Sequence, residues 1–346
     1  MARKVTRRQL LLQIDRLHPA IANAFYAAFA DVRRQAQVTR IAELIASGRL
    51  DMVSDELGLD SPRFAQLTEE IRTVYASGGK QGATEIPMLK GTGGARVKLN
   101  FDMRNPRAEA WIRNESSRLV TDLVADQRNS IRIAVSEGTM IGNNPRMTAL
   151  DIIGRVGPSG RRSGGIVGLT SQQTKFVFNA RSELMSGDPM QMARYLGRGR
   201  RDKRFDSIVQ MAIDSKKSIG IADVDKITGR YSDRMLQLRG ENIARTEALT
   251  AFSAAREESF LQAVDTGLVR AGNVLKIWSS TGDDRTREAH MELNGAEVAI
   301  DQPFDSPTGA QLMFPGDTSL GAGGEDLINC RCTVEYRIDM IAETLQ

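Results

Sequence analysis

Apolar residues recur every three or four positions over most of the chain, and that spacing predicts helices. Leu10, Ile14, Leu17, Ile21, Phe25 and Phe29 form one stripe, with Pro19 placed to kink or divide it. "SPRFAQLTEEIRTVYASGG" follows, with Ser61 as N-cap, Pro62 at the first helical position and Gly78 as stop, so residues 1–78 read as an N-terminal helical region. The glycines of "GGKQGATEIPMLKGTGGARVKLNFD" interrupt the spacing. Residues 79–105 are therefore expected to be a linker, with "RVKLNFD" as a short strand. Trp111, Leu119, Leu123, Ile131 and Val135 mark a long helix from Arg107 to about Glu137, ended by Gly138. "GRVGPSGRRSGG" (Gly154–Gly165) is polar and glycine-rich and is expected to be flexible.

Helices are expected next over 170–187, 188–197, 204–216 and 221–238. A separate one, Arg239–Gly267, carries a stripe of mostly small residues: Ala244, Ala248, Ala251, Phe252 and Ala255. Such a stripe lets another element approach closely. Residues 106–267 thus read as a helical body. Beyond Gly267 the period changes to two. "VLKIWSS" and "CRCTVEYRI" read as strands, separated by turn sequences such as "NG", "QPFDSPTG" and "FPGD". The expected fold is a mainly α-helical body with a small C-terminal α+β domain at 268–346.

Composition supports packed helices: 41% hydrophobic residues can fill cores, and 5% aromatics argue against a β-sandwich. The N-terminal "LLLQI" is too short for a secretory signal and is followed at once by Asp15 and Arg16. No run approaches the ~18 apolar residues of a membrane span, so folding in a cytoplasm is expected. Charge is unevenly divided. From Lys276 onward, five basic residues face thirteen acidic ones, a net −8, which leaves +12 on residues 1–275 out of the total of +4. A basic body with an acidic tail suits contact with a polyanion such as DNA; it also serves solubility.

The chain holds two cysteines, Cys330 and Cys332, one residue apart in "INCRC". A disulfide across so tight a ring is strained, and cytoplasm keeps thiols reduced. Two readings remain: small buried hydrophobes, with a histidine bonded to a nearby carboxylate or backbone group, or two thiolate ligands. Of the two histidines, His290 lies in the same small domain. His290, Cys330, Cys332 and a carboxylate such as Asp283 or Asp284 would complete a tetrahedral zinc shell. A nuclease or transferase using His290 with Arg285 and Arg287, and Glu288 or Glu292 as base, is the enzymatic alternative. No Ser-His-Asp order, phosphate loop or dinucleotide fingerprint accompanies it, and no catalytic residue is assigned. The strongest basic run is "RYLGRGRRDKR", in which Arg194, Arg198, Arg200, Arg201, Lys203 and Arg204 are candidates for non-specific DNA contact, or else form a solvated loop.

In order, "GLTSQQTKFVFNARSEL", "RYLGRGRRDKRFDSIVQMAI", "RGENIARTEALTAFSAARE", "KIWSSTGDDRTREAHMELNG", "PFDSPTG", "LMFPGD" and "INCRC" resemble the phage Mu F-like minor head protein family, over residues ~168–337. Residues 1–105 resemble nothing comparable. The resemblance implies a head-morphogenesis protein assembled in the host cytoplasm and present in few copies inside the capsid. Its implied partners are the portal protein, inner capsid or scaffold proteins, and packaged DNA, with which some members leave the head. In other members the C-terminal module precedes toxin domains; only fourteen residues follow Cys332 here, so no such cargo is expected. The family's histidine and C-x-C positions fall on His290, Cys330 and Cys332. The resemblance supplies no reaction.

Overall fold

The computed structural model describes residues 5–59, 61–90, 96–157 and 160–340. Among them helices dominate, and the strands are short and antiparallel. The protein is mainly helical, with a small C-terminal α+β region. The chain divides into two compact units, neither contiguous: one of Met1–Asn23, Gln66–Ser117 and Glu241–Gln346, the other of Ala24–Ala65 and Arg118–Gly240. The boundaries expected at 78, 105 and 267 all fall inside segments of the first unit.

In the first unit, the strand Val274–Ser279 lies between Glu297–Ala299 and Thr333–Ile338, antiparallel to both. Its core draws on distant sequence. Ala83, Ile86 and Leu99 pack with Phe260, Ala263, Val269, Val274 and Ile300, and Tyr336 stacks on Phe260 with ring centroids 4.2 Å apart. The C-terminal strands therefore share their interior with residues from the expected linker.

That linker is helical through Glu85: Ala65–Glu85 is one helix, and Gly78 does not stop it. The reason is packing. A Cβ on Gly78 would lie 2.3 Å from the Phe252 carbonyl oxygen, and one on Gly82 would lie 2.9 Å from that of Arg256. These two glycines, one helical turn apart, let the helix close against the small-residue stripe of its neighbour, as that stripe implied. Gly79 faces the Phe101 ring instead. The strand expected in "RVKLNFD" is Arg96–Val97, paired with Leu89–Lys90.

A Gly→Ala change inside a helix ordinarily gains up to about 1 kcal/mol. At Gly78 the intruding methyl meets backbone that cannot swing aside, so Gly78→Ala is expected to destabilise by about 1–3 kcal/mol. Gly197→Ala, whose Cβ would meet nothing within 4 Å, is the control and should be neutral or slightly stabilising. Urea unfolding of both variants checks this; equal stabilities would refute the close-packing account.

Two helix boundaries are corrected, and one proline does not divide its helix. The helices expected at 221–238 and 239–267 are one 45-residue helix, Ile221–Asp265, which passes through Gly240. A Cβ there would sit 2.3 Å from the Tyr26 ring, so this glycine too is a packing residue. The helix Pro106–Met140 runs past Gly138. The helix Arg7–Gln35 continues through Pro19.

In the second unit, Phe29 packs edge-on against both Phe25 and Phe64, at 4.9 and 5.6 Å. The buried Arg33 donates to the Val167 carbonyl at 2.7 Å. Within the stretch expected to be flexible, Arg155–Val156 pairs antiparallel with Arg162–Ser163, and residues 158–159 lie outside the described residues. Gly164 and Gly165 then turn with φ of 70° and 77°, a left-handed conformation that L side chains resist. A Cβ on Gly164 would be 2.7 Å from the Gly229 Cα, so glycine content here also reflects close backbone contact.

Candidate functional site

The two cysteines are delivered by a turn rather than by the strand expected to hold them, which begins at Thr333. Asn329 adopts φ 55°, a left-handed conformation that asparagine tolerates better than most residues. Its backbone N–H donates to Thr246 Oγ1 at 3.1 Å and its side-chain amide to Asn242 at 3.0 Å, both on the long helix. This anchored kink turns Cys330 and Cys332 inward together, as the expected alternation required, with Arg331 outward between them. Opposite them the short helix Glu288–Glu292 presents His290. His290 Nδ1 lies 3.5 Å from Cys330 Sγ and 3.5 Å from Cys332 Sγ. All three side chains are buried, His290 to 1% exposure.

The other imidazole nitrogen is also engaged. Nε2 faces Asp326 Oδ1 at 3.1 Å. Asp326 is itself buried and accepts from Ser306 Oγ at 3.1 Å and Thr308 Oγ1 at 2.7 Å. Nε2 engaged with this carboxylate leaves Nδ1 to face the two sulfurs. Trp278 closes the site edge-on to His290 at 5.4 Å, and Phe304 backs Trp278 at 5.1 Å.

Burial disfavours charge on His290, but hydrogen bonds to Cys330 and Asp326 outweigh it and raise its pKa above the ordinary imidazole value. The hydrogen bond with Cys332 pulls the Cys330 thiol well below its usual value despite burial, and His290 adds to the effect. Cys332 is pushed up, first by Cys330 and then by burial.

Asp283, the expected fourth ligand, is not in this cluster. Its carboxylate is gripped by both guanidinium nitrogens of Arg331, at 2.6 and 2.7 Å, and accepts from Thr286. The Arg331 hydrogen bonds hold its acidity well above the usual carboxylate range. Arg287 donates to the Ile328 carbonyl. The "DDRTREAH" loop is therefore tied twice to the "INCRC" turn, and these polar residues fix the position of His290. Arg285 is exposed. Sequence reasoning missed Asp326, Ser306 and Thr308. They lie 36, 16 and 18 positions from His290 in stretches whose residue types signal only turns.

The basic run lies in the second unit and is half neutralised. Arg198 pairs bidentately with Glu183, both contacts at 2.7 Å. Arg201 pairs with Asp206 at 3.0 and 2.9 Å. Arg204 grips the buried Asp202. Arg194, Arg200 and Lys203 are exposed.

Residues 220–335 match the family model described as "Phage Mu protein F like protein". This segment is Mu F-like. The matched segment starts later than the resemblance read from residue ~168, and it contains His290, Asp326, Cys330 and Cys332 but not the basic run. Among relatives, the chain is 35% identical over 96 residues to the minor head protein GP7 of Bacillus phage SPP1, covering 28% of this chain and 29% of that one. It is 36% identical over 104 residues to the NAD(+)–arginine ADP-ribosyltransferase EFV of Enterococcus faecalis (strain ATCC 700802 / V583), covering 30% and 20%. It is 31% identical over 137 residues to the uncharacterized protein YqbB of Bacillus subtilis (strain 168), covering 39% and 41%. The chain thus spans less than half the length of each of these curated relatives. No solved structure matches the chain.

Proposed function

We propose that this chain is a phage minor head protein acting in head morphogenesis. In this reading it sits in the capsid at low copy, docks to the portal with inner capsid or scaffold proteins nearby, and touches packaged DNA without reading its sequence. The observation that carries it is the Mu F-like match over residues 220–335 together with likeness to a protein named as a minor head protein. The +12 charge of residues 1–275 supports the DNA contact. No helix among the described residues is long and apolar enough to cross a membrane.

The nuclease or transferase alternative finds little support in the geometry. His290 is 1% exposed with both nitrogens facing protein groups, and Arg287 is committed to a backbone carbonyl. A general base needs access to substrate. The relative named as a transferase is matched over only 20% of its length.

Mass spectrometry of purified virions tests the reading: the protein should be present at a few copies, with cross-links to the portal. Its absence from virions and assembly intermediates, despite expression during infection, overturns it. The DNA contact has its own test. If only Arg194, Arg200 and Lys203 reach phosphates, the slope of log affinity against log salt should be roughly −3 rather than roughly −5 for six contacts. Replacing all three by Gln should flatten it to near zero.

A further inference from the structure

The geometry points to a zinc site formed by His290 Nδ1, Cys330 Sγ and Cys332 Sγ, with Asp326 holding the imidazole from behind. The ligand atoms of these three residues all lie within 4.8 Å of one another. Two details separate this from a packed cysteine pair. First, one imidazole nitrogen faces two sulfurs at the same 3.5 Å. A single lone pair or a single N–H serves one hydrogen bond well, whereas a shared cation between the three atoms satisfies all of them. Zinc–sulfur bonds of about 2.3 Å and a zinc–nitrogen bond of about 2.05 Å at the tetrahedral angle place nitrogen and sulfur roughly 3.6 Å apart. The observed nitrogen–sulfur spacing agrees with this.

Second, the surroundings suit a metal. Nε2 meets a buried carboxylate, the arrangement that fixes the tautomer and strengthens a histidine ligand. Ser306 and Thr308 donate to that carboxylate and hold its orientation. The Cys332 backbone N–H points at Cys330 Sγ at 3.4 Å, a donor suited to a thiolate. Two thiolates would balance the charge of one divalent cation. A neutral imidazole with two soft sulfurs selects zinc over magnesium or calcium.

Burial of all three ligands makes the role structural. The five-residue helix Glu288–Glu292 is too short to persist alone, and the turn before Cys330 is held by a few hydrogen bonds. One ion would staple these two pieces together.

The test uses the full chain purified without added metal. Elemental analysis is expected to find about one zinc per chain. After removal by chelator, added cobalt should give thiolate-to-cobalt charge-transfer absorption, and two thiols should become reactive. Cys330→Ser and Cys332→Ser should each abolish both signals. Asp326→Asn serves as a second variant that separates metal loss from loss of the fold: it keeps every ligand, and zinc affinity should fall about 10- to 100-fold. A folded wild-type protein that carries less than about 0.1 zinc per chain and takes up neither zinc nor cobalt overturns the site. Unchanged affinity in Asp326→Asn overturns the assigned role of that carboxylate.

Discussion

Lys276→Met is expected to destabilise the protein by about 3–5 kcal/mol at alkaline pH and by much less at pH 5. Lys276 is fully buried in the central strand; its Nζ lies 3.1 Å from Glu257 Oε1 and donates to the Met313 carbonyl at 2.8 Å. Burial pushes Glu257 up to about 8, although Lys276 opposes it, and burial lowers Lys276. The Lys276 ammonium and its hydrogen bond favour the Glu257 carboxylate and so work against its burial.

Removing Lys276 breaks this balance. Glu257 keeps its burial and loses its cation, so its folded pKa stays far above the unfolded value of about 4.3. The folded state then retains a proton that the unfolded state releases. Its stability is highest below the unfolded pKa and declines as pH rises through the folded one. Urea unfolding of variant and wild type at pH 5 and pH 9 measures the difference. An equal loss at both values would remove the basis for this account. Lys276→Met combined with Glu257→Leu should recover most of the loss, since replacing both partners leaves no buried charge.

Arg256→Met should cost a similar amount, about 3–5 kcal/mol, at neutral pH. The Arg256 guanidinium is buried, grips Glu85 bidentately at 3.0 and 2.7 Å, donates to the Val334 carbonyl at 3.1 Å and lies over the Tyr336 ring at 5.3 Å. One side chain therefore links the Ala65–Glu85 helix, the long helix and the last strand. Arg256→Lys keeps the charge but cannot form the planar fork, and it should recover only part of the loss. Hydrogen exchange across Thr333–Ile338 should quicken in both variants. Wild-type stability in Arg256→Lys would show that the fork is not what matters.

The sequence pattern of "VLKIWSS" announces a strand but misleads about its faces. Polarity alone would turn Lys276 out and Leu275 in. The reverse holds: Lys276 is fully buried and Leu275 is 37% exposed, because Glu257 waits on the inner face. Only the partner, nineteen positions earlier on a helix, reveals this. The meeting of His290, Cys330 and Cys332 was legible, since scarce residue types fell in one region. The choice between Asp283 and Asp326 was not. Asp283 is nearer in sequence, but Arg331 captures it, and a remote turn brings Asp326 instead.

Glycines misled for a related reason. A glycine that ends a helix and one that admits a neighbouring helix look alike locally. The distinction at Gly78 and Gly82 lay in the alanine-rich stripe far along the chain, which was visible but had no assigned partner. The basic run invited a count of six phosphate contacts. Glu183, Asp202 and Asp206 were close enough in sequence to be foreseen as competitors, yet helical spacing alone does not say which carboxylates turn inward.

Phe260, Ala263, Val274 and Ile300 lie within the Mu F-like match, whereas Ala83, Ile86 and Leu99, which cover them, lie outside it. The inherited stretch is thus not a self-sufficient cassette. Any protein that shares only this stretch has to roof the same apolar face with chain of its own. Excising residues 220–335 alone would yield a sticky fragment that aggregates, however faithfully its cysteines and histidine were retained.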